Sequence, residues 1–99
     1  MNINITYNDD KTILTLSGRL DTTTAPKLQE TLLSVINDTK HVELDFAKLE
    51  YVSSAGLRVL LMGEKTAKSK GSRQTLVNIS PDIMEVFEIT GFSSVLHFE

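Results

Sequence analysis

The chain of 99 residues contains no cysteine, no tryptophan and only two prolines. The lack of cysteine excludes a disulfide framework, a thiolate metal site and a cysteine nucleophile. No apolar run approaches the roughly 20 residues that a membrane helix needs, and the N-terminal segment lacks the basic and apolar regions of a secretory signal. We therefore expect a cytoplasmic protein without membrane contact, built as a single domain over residues 1–99.

Charge and hydrophobicity narrow the function classes further. The formal net charge is -3, which argues against nucleic acid as a direct partner. Hydrophobic residues make up 40% of the chain, enough for one compact core but not for two independent ones. The basic residues that cluster between positions 65 and 73 are typical of a solvated helix end.

Residue patterning predicts alternating strands and helices. Short segments with strand-like patterning predict strands over 3–7, 12–16, 41–46, 73–79 and 94–98. Apolar residues at helical spacing predict helices over 25–36, 54–70 and 81–90. Gly18 is expected to end the second strand, and residues 47–53 are expected to form a connection. The order β-β-α-β-α-β-α-β predicts an α/β fold, with a mixed, largely parallel sheet of about four to five strands and at least three helices.

Sites in such folds gather where parallel strands end, which here selects the turns at 18–24 and 53–54. Ser54 is predicted to be the N-cap of the second helix, where its hydroxyl would accept a hydrogen bond from a first-turn N–H group. That helix end carries partial positive charge and tolerates a phosphate. Glu64 falls on the apolar side of the same helix, and the pattern offers no reason for it.

Catalysis and metal binding receive little support from the sequence. Ser54 lacks the Gly-x-Ser-x-Gly context, and nothing places His41 or His97 beside it as the base of a serine hydrolase. The five glycines form no phosphate-binding motif. Asp21 and Asp45 are separated carboxylates that give only a weak metal signal. We expect no catalytic residue, no cofactor and no metal.

A regulated binding surface is a further interpretation of the second helix. Gly56 lacks a β-carbon, which would allow another group to come close to the turn, although it could equally pack against a neighbouring strand. Arg58 and Met62 lie away from the apolar side of the helix, and an exposed methionine there would suit a partner surface. These residues alone do not separate such a surface from a small α/β domain of unspecified role.

Three blocks of the sequence resemble the STAS family, named for sulphate transporters and anti-sigma factor antagonists. The blocks are Gly18–Ala25, then Leu44-Asp45-Phe46 with Val52–Leu57, and finally Ile79-Ser80-Pro81 with Thr90-Gly91-Phe92. The resemblance covers nearly the whole chain, and the middle block is its most specific part.

The resemblance implies a non-enzymatic partner switch. In the family, the serine matching Ser54 is phosphorylated by an anti-sigma factor that is itself a serine kinase of GHKL type. The unmodified form binds that kinase and so frees a sigma factor, whereas the phosphorylated form does not bind, and a PP2C-type phosphatase resets it. By the same resemblance Asp21 borders the phosphorylated serine, and we expect Thr22, Thr23, Arg58 and Met62 to contact the partner.

One residue departs from the family pattern. Many members carry aspartate directly before the phosphorylated serine, whereas Ser53 stands there in this chain. The change removes a carboxylate from the site and leaves two adjacent hydroxyls, so Ser53 is an alternative acceptor to Ser54. The other functional alternatives are a regulatory STAS module that binds a different protein or a small ligand without a sigma factor, and the serine hydrolase.

Overall fold

A computed structural model describes residues 1–99 and contains one mixed sheet and three α-helices. In chain order the elements are β1 (Asn2–Asn8), β2 (Lys11–Leu20), α1 (Ala25–Asp38), β3 (His41–Val52), α2 (Ser54–Ser69), β4 (Arg73–Val77), α3 (Pro81–Thr90) and a 3-10 turn at Phe92–Ser94. The predicted α/β class is confirmed, and the helices begin where they were predicted. No helix is both long enough and apolar enough to cross a membrane.

The sheet has the strand order β1-β2-β3-β4. β1 and β2 form an antiparallel hairpin, whereas β2, β3 and β4 run parallel to one another. Parallel strands need crossovers, which α1 and α2 supply. Because β2 and β3 are parallel neighbours, the segments that follow them leave the sheet at the same edge.

The helices cover one face of the sheet. Leu14, Leu44 and Leu76 are aligned across β2, β3 and β4 on this face, and all three are fully buried. The apolar stripes of α1 and α2 complete a core of 21 residues. The opposite face carries polar side-chain pairs instead, such as Lys11 Nζ and Glu43 Oε1 at 3.1 Å.

β3 is longer than the predicted strand. It includes most of residues 47–53, so the prediction of a connection there was wrong. Thr15 pairs with Asp45 but Ser17 pairs with Lys48, so β3 gains a residue at this point and forms a bulge. A second bulge follows, because Gly18 pairs with Leu49 but Arg19 pairs with Tyr51. Beyond the first bulge, burial no longer alternates, which hides the strand from a search for period-2 patterning. β2 likewise continues past Gly18, which has a φ of 93°, to Leu20.

The prediction of a final strand over 94–98 was wrong, because these residues form no regular strand. Residues Phe92–Ser94 form the 3-10 turn, and only Phe98 forms a parallel bridge, to Leu76 of β4. Two backbone hydrogen bonds join this segment to Leu76, from Leu76 N to His97 O (2.9 Å) and from Glu99 N to Leu76 O (3.0 Å). The C-terminal segment therefore lies along the outer side of β4.

This segment explains the charged residue on the apolar side of α2. Glu64 is 6% exposed, and its Oε2 atom lies 3.1 Å from Nδ1 of His97. A buried carboxylate is tolerated only with a partner. Glu64 therefore joins α2 to the C-terminal segment and belongs to the architecture of the domain.

Candidate functional site

The parallel register of β2 and β3 brings the two predicted turns together. Leu20 pairs with Val52 at the end of the two strands, and Ser53 N donates to Leu20 O at 2.8 Å. Asp21 follows the first strand and Ser53 follows the second, so both lie at the same edge of the sheet. We call the segments Asp21–Thr24 and Ser53–Arg58 together the serine edge.

The N-cap of α2 is Ser53, and the prediction that Ser54 holds this position was wrong by one residue. Ser53 has an extended backbone (φ -93°, ψ 174°), and its Oγ atom accepts a hydrogen bond from Gly56 N at 3.4 Å. Ser54 is the first helical residue; it is exposed, and its hydroxyl makes no hydrogen bond within the chain. The two adjacent hydroxyls therefore differ: one is held by the helix end and the other is free.

Asp21 organises the other turn of the serine edge. Its Oδ1 atom accepts hydrogen bonds from Thr23 Oγ1 (2.7 Å), Thr23 N (3.0 Å) and Thr24 N (3.1 Å). Thr24 Oγ1 in turn accepts from Asp21 N at 2.9 Å. This is the Asx-type geometry that aspartate favours before a helix. Asp21 therefore fixes the backbone between β2 and α1.

The same contacts hold the pKa of Asp21 below its usual value. The largest cause is the hydrogen bond from the Thr23 hydroxyl; partial burial opposes it, and the N–H groups of Thr24 and Thr23 add to it. A lowered pKa in the folded state means that the ionised carboxylate stabilises the fold. This stabilisation is complete above the ordinary aspartate pKa and is lost as the pH falls through the folded value.

Asp21→Asn tests this linkage, because asparagine keeps the shape of the side chain and removes its charge. We expect the variant to be less stable than the wild type at neutral pH, with a difference that shrinks as the pH falls below the ordinary aspartate range. Urea unfolding midpoints measured at several pH values would show it. Asp10→Asn, in an exposed turn, is the control. A stability difference for Asp21→Asn that did not change with pH would contradict the assignment.

Gly56 packs against the chain's own sheet. A β-carbon placed on Gly56 would lie 2.6 Å from Cγ of Leu20 and 3.2 Å from Cγ1 of Val52. Real β-carbons do not approach other atoms so closely as the first distance, so the missing side chain lets α2 sit directly on the ends of β2 and β3. Of the two interpretations of Gly56, the structure supports packing against a neighbouring strand.

The four residues expected to contact a partner do not share one environment. Thr22 and Arg58 are exposed, and Arg58 lies one helical turn after Ser54 on the same side of α2. Thr23 is exposed, but its hydroxyl is engaged by Asp21. Met62 is half-buried and packs against the core, so the expectation that it is exposed was wrong.

Arg19 and Tyr51 lie near the ends of β2 and β3 that lead into the serine edge, and no local sequence pattern marks them as a pair. They are paired across β2 and β3, and the Arg19 guanidinium carbon lies 4.2 Å from the centroid of the Tyr51 ring. Arg19 Nε is 3.9 Å from Asp21 Oδ2. Tyr51 is 40% exposed, whereas its neighbour Val52 is buried, so the pair lies on the sheet face opposite the helices. Only the register after both bulges in β3 reveals this pair.

Neither histidine lies at the serine edge. His41 begins β3, at the opposite end of that strand from Ser53, and its Nε2 atom is 2.7 Å from Thr75 Oγ1. His97 contacts Glu64 on the third turn of α2. The geometry therefore gives no support to the serine hydrolase alternative, which needs a histidine in contact with the serine.

The strand order, the single helix-covered face and the paired turns at one edge define a STAS-like α/β domain. A family model described as "Mlab, STAS domain" matches residues 3–97, and the chain belongs to this family. BtrV of Bordetella bronchiseptica, provisionally named an anti-sigma factor antagonist, is 35% identical over 88 residues, or 88% of this chain and 76% of BtrV. The anti-sigma-B factor antagonist of Bacillus subtilis is 25% identical over 96 residues, or 97% of this chain and 88% of that protein.

Solved structures show the same fold. A crystal structure of a Thermotoga maritima protein, provisionally named an anti-sigma factor antagonist, has a TM-score of 0.90 at 19% identity, covering 97% of this chain and 84% of the other. The anti-sigma factor antagonist SpoIIAA in its unphosphorylated form has a TM-score of 0.77 at 17% identity, covering 99% and 87%. Its phosphorylated form, from Bacillus, gives the same TM-score at 18% identity, covering 99% and 91%. The resemblance to anti-sigma factor antagonists is confirmed.

Proposed function

We propose that residues 1–99 act as one STAS domain that switches partners through the phosphorylation of Ser54. The unmodified serine edge binds an anti-sigma factor that is a serine kinase of GHKL type, which frees a sigma factor. Phosphorylated Ser54 releases the kinase, and a PP2C-type phosphatase restores the binding form. The protein thus regulates transcription indirectly, in the cytoplasm, as a non-enzyme that contacts neither nucleic acid nor a membrane.

The free hydroxyl of Ser54 is the observation that carries this proposal. It is exposed at the first residue of α2 and has no partner within the chain, so its modification breaks no contact of the fold. Ser53 is half-buried, and its hydroxyl caps the helix. Modification of Ser53 would remove a cap, and losing a cap typically costs about 0.5–2 kcal/mol of stability. The contrast favours Ser54 as the acceptor.

Local electrostatics supplies the release step. Phosphorylation adds almost two negative charges and three acceptor oxygens. The first turn of α2 contains no acidic residue, so the helix end tolerates the phosphate and the domain stays folded. A partner that covers the neutral hydroxyl would instead have to desolvate a dianion next to the Asp21 turn. A coupling free energy of about 1–3 kcal/mol changes affinity roughly 5–150-fold, which is enough to exchange partners.

We infer that this switch acts through charge and contact at the serine edge, without rearrangement of the backbone. Ser54 lies at the start of a packed helix, and its hydroxyl makes no contact within the chain that modification would break. Thr22 and Arg58 are exposed on the two segments of the serine edge and provide the proposed contact surface.

Binding of the wild type and three variants to each GHKL-type kinase of the source organism tests the proposal. We expect Ser54→Ala to bind at least as tightly as the wild type, because the hydroxyl makes no contact within the chain. We expect Ser54→Asp to bind at least about fivefold more weakly, because it places a charge in the interface. Isothermal titration calorimetry measures the affinities, and mass spectrometry after incubation with ATP locates the phosphate.

Ser53→Ala is the matched control, since it removes the neighbouring hydroxyl and leaves Ser54 intact. It should lower stability through the lost cap but retain kinase binding and phosphorylation. Equal affinities for Ser54→Ala and Ser54→Asp, or phosphate found on Ser53, would overturn the proposed switch. Binding of none of the kinases would instead favour a STAS module with a different partner.

A further inference from the structure

β1 is an edge strand whose outer side has no neighbour. It spans seven residues, Asn2–Asn8, and pairs with β2 in an unbroken register along its inner side. Its outer N–H and C=O groups are therefore free to pair with another strand. Proteins commonly block such edges with lysine, proline, a bulge or a charged side chain, and β1 contains none of these.

The strand also exposes an apolar row. Ile3, Ile5 and Tyr7 pair with Leu16, Leu14 and Thr12 of β2, so their side chains lie on the helix-covered face of the sheet. The core covers only one end of this row: Ile3 is half-buried and packs against the core, whereas Ile5 is 42% exposed and Tyr7 is 75% exposed. The other β1 residues are uncharged and polar, namely Asn2, Asn4, Thr6 and Asn8.

We propose that β1 is a dimer interface that pairs antiparallel with β1 of a second copy, with the twofold axis at Ile5. In this register Ile5 faces Ile5, Ile3 faces Tyr7, Asn4 faces Thr6 and Asn2 faces Asn8. Every cross-strand pair joins side chains of the same character, as a self-complementary twofold interface requires. The two sheets become one eight-stranded sheet, and the apolar rows meet between the two copies.

The alternative registers are less favourable. A twofold axis at Thr6 would place the charged Asp9 opposite Ile3, and an axis at Asn4 would leave Tyr7 opposite Met1, beyond the end of the strand. An axis at Ile5 also separates the acidic turns Asp9-Asp10 of the two copies. Asp9 lies four residues from the axis in each copy, so the two are about 27 Å apart at 3.4 Å per residue. That exceeds the Debye length of about 8 Å at physiological salt, so the acidic turns barely repel each other.

The cysteine-free sequence makes this register testable by disulfide cross-linking. Opposed side chains of an antiparallel pair have β-carbons about 4.5–5.5 Å apart, within reach of a disulfide after small adjustments. Under mild oxidation Ile5→Cys should form a covalent dimer with itself. Ile3→Cys and Tyr7→Cys should each form no disulfide-linked dimer when oxidised alone. A mixture of the two variants should form a disulfide-linked dimer. Ile89→Cys, at an exposed position on α3, is the control for random collision.

Sedimentation of the uncross-linked protein gives an independent measurement. The wild type should pass reversibly from a monomer of 11.0 kDa to a dimer with rising concentration. Ile5→Lys places two like charges at the axis and should weaken dimerisation at least tenfold, whereas Ile89→Lys should not change it. Circular dichroism confirms that both variants fold. A wild type that stays monomeric at millimolar concentration, or cross-linking of Ile5→Cys no faster than Ile89→Cys, would overturn the proposal.

Discussion

Truncation of Phe87 to alanine is expected to lower the free energy of unfolding by about 3–5 kcal/mol, the usual range for a buried phenylalanine. Phe87 is fully buried on α3. Its ring centroid lies 6.2 Å from that of Phe46 on β3 and 5.6 Å from that of Phe98 in the C-terminal segment. The ring therefore joins α3, the sheet and the C-terminal segment, and a cavity would loosen all three.

Ile89→Ala is the matched control for this experiment. Ile89 lies on the same helix, two residues further on, and is 77% exposed. Its truncation should change stability by no more than about 0.5 kcal/mol, as surface substitutions usually do. Chemical denaturation followed by circular dichroism measures both variants. Similar midpoints for Phe87→Ala and the wild type would show that the aromatic cluster is not part of the stabilising core.

We expect replacement of Gly56 by alanine to lower the free energy of unfolding by a net amount of about 1–3 kcal/mol, because the added methyl group overpacks the site. Two contributions oppose each other. Alanine in a helix is favoured over glycine by roughly 0.5–1 kcal/mol. The new methyl group, however, would lie 2.6 Å from Cγ of Leu20, a branch carbon close to the backbone that has little freedom to move away. Overpacking should therefore outweigh the gain in helix propensity.

Ser54→Ala separates this packing effect from a general effect at the start of α2. Ser54 is exposed two residues before Gly56, so its truncation should change the free energy of unfolding by no more than about 0.5 kcal/mol. Thermal or urea unfolding of the two variants side by side makes the comparison. A Gly56→Ala protein as stable as the wild type would show that α2 can move off Leu20 without loss.

Local signals were sufficient to predict much of the fold. Helix α3 illustrates this, because Ser80 caps it through a hydrogen bond from Ile83 N at 3.3 Å and Gly91 ends it with a φ of 82°. Both roles belong to residue types that favour them for reasons within one turn of the helix. The alternation of strands and helices also selected both turns of the serine edge as places where a site forms.

Features that depend on distant partners were not predictable from the sequence. Glu64 is explained by His97, which lies 33 positions later and reaches it only because the C-terminal segment runs along β4. The Arg19–Tyr51 contact requires the register after the two bulges in β3. The prediction of the N-cap of α2 was wrong for a local reason. Two adjacent serines satisfy the same cap preference, and only the backbone angles distinguish them.

The position of Ser54 on the first turn of α2 has a consequence for how a modifying enzyme recognises its substrate. The side chain of Ser54, the acceptor in the proposed function, is held by a helix that is packed on the sheet. An enzyme that acts on the folded domain would therefore recognise a shape assembled from α2 and the Asp21 turn. A short peptide copied from this segment has no such shape, because short isolated helices are marginal in water. Under the proposed function, kinases that recognise linear motifs would not act on Ser54, which would separate the switch from unrelated signalling.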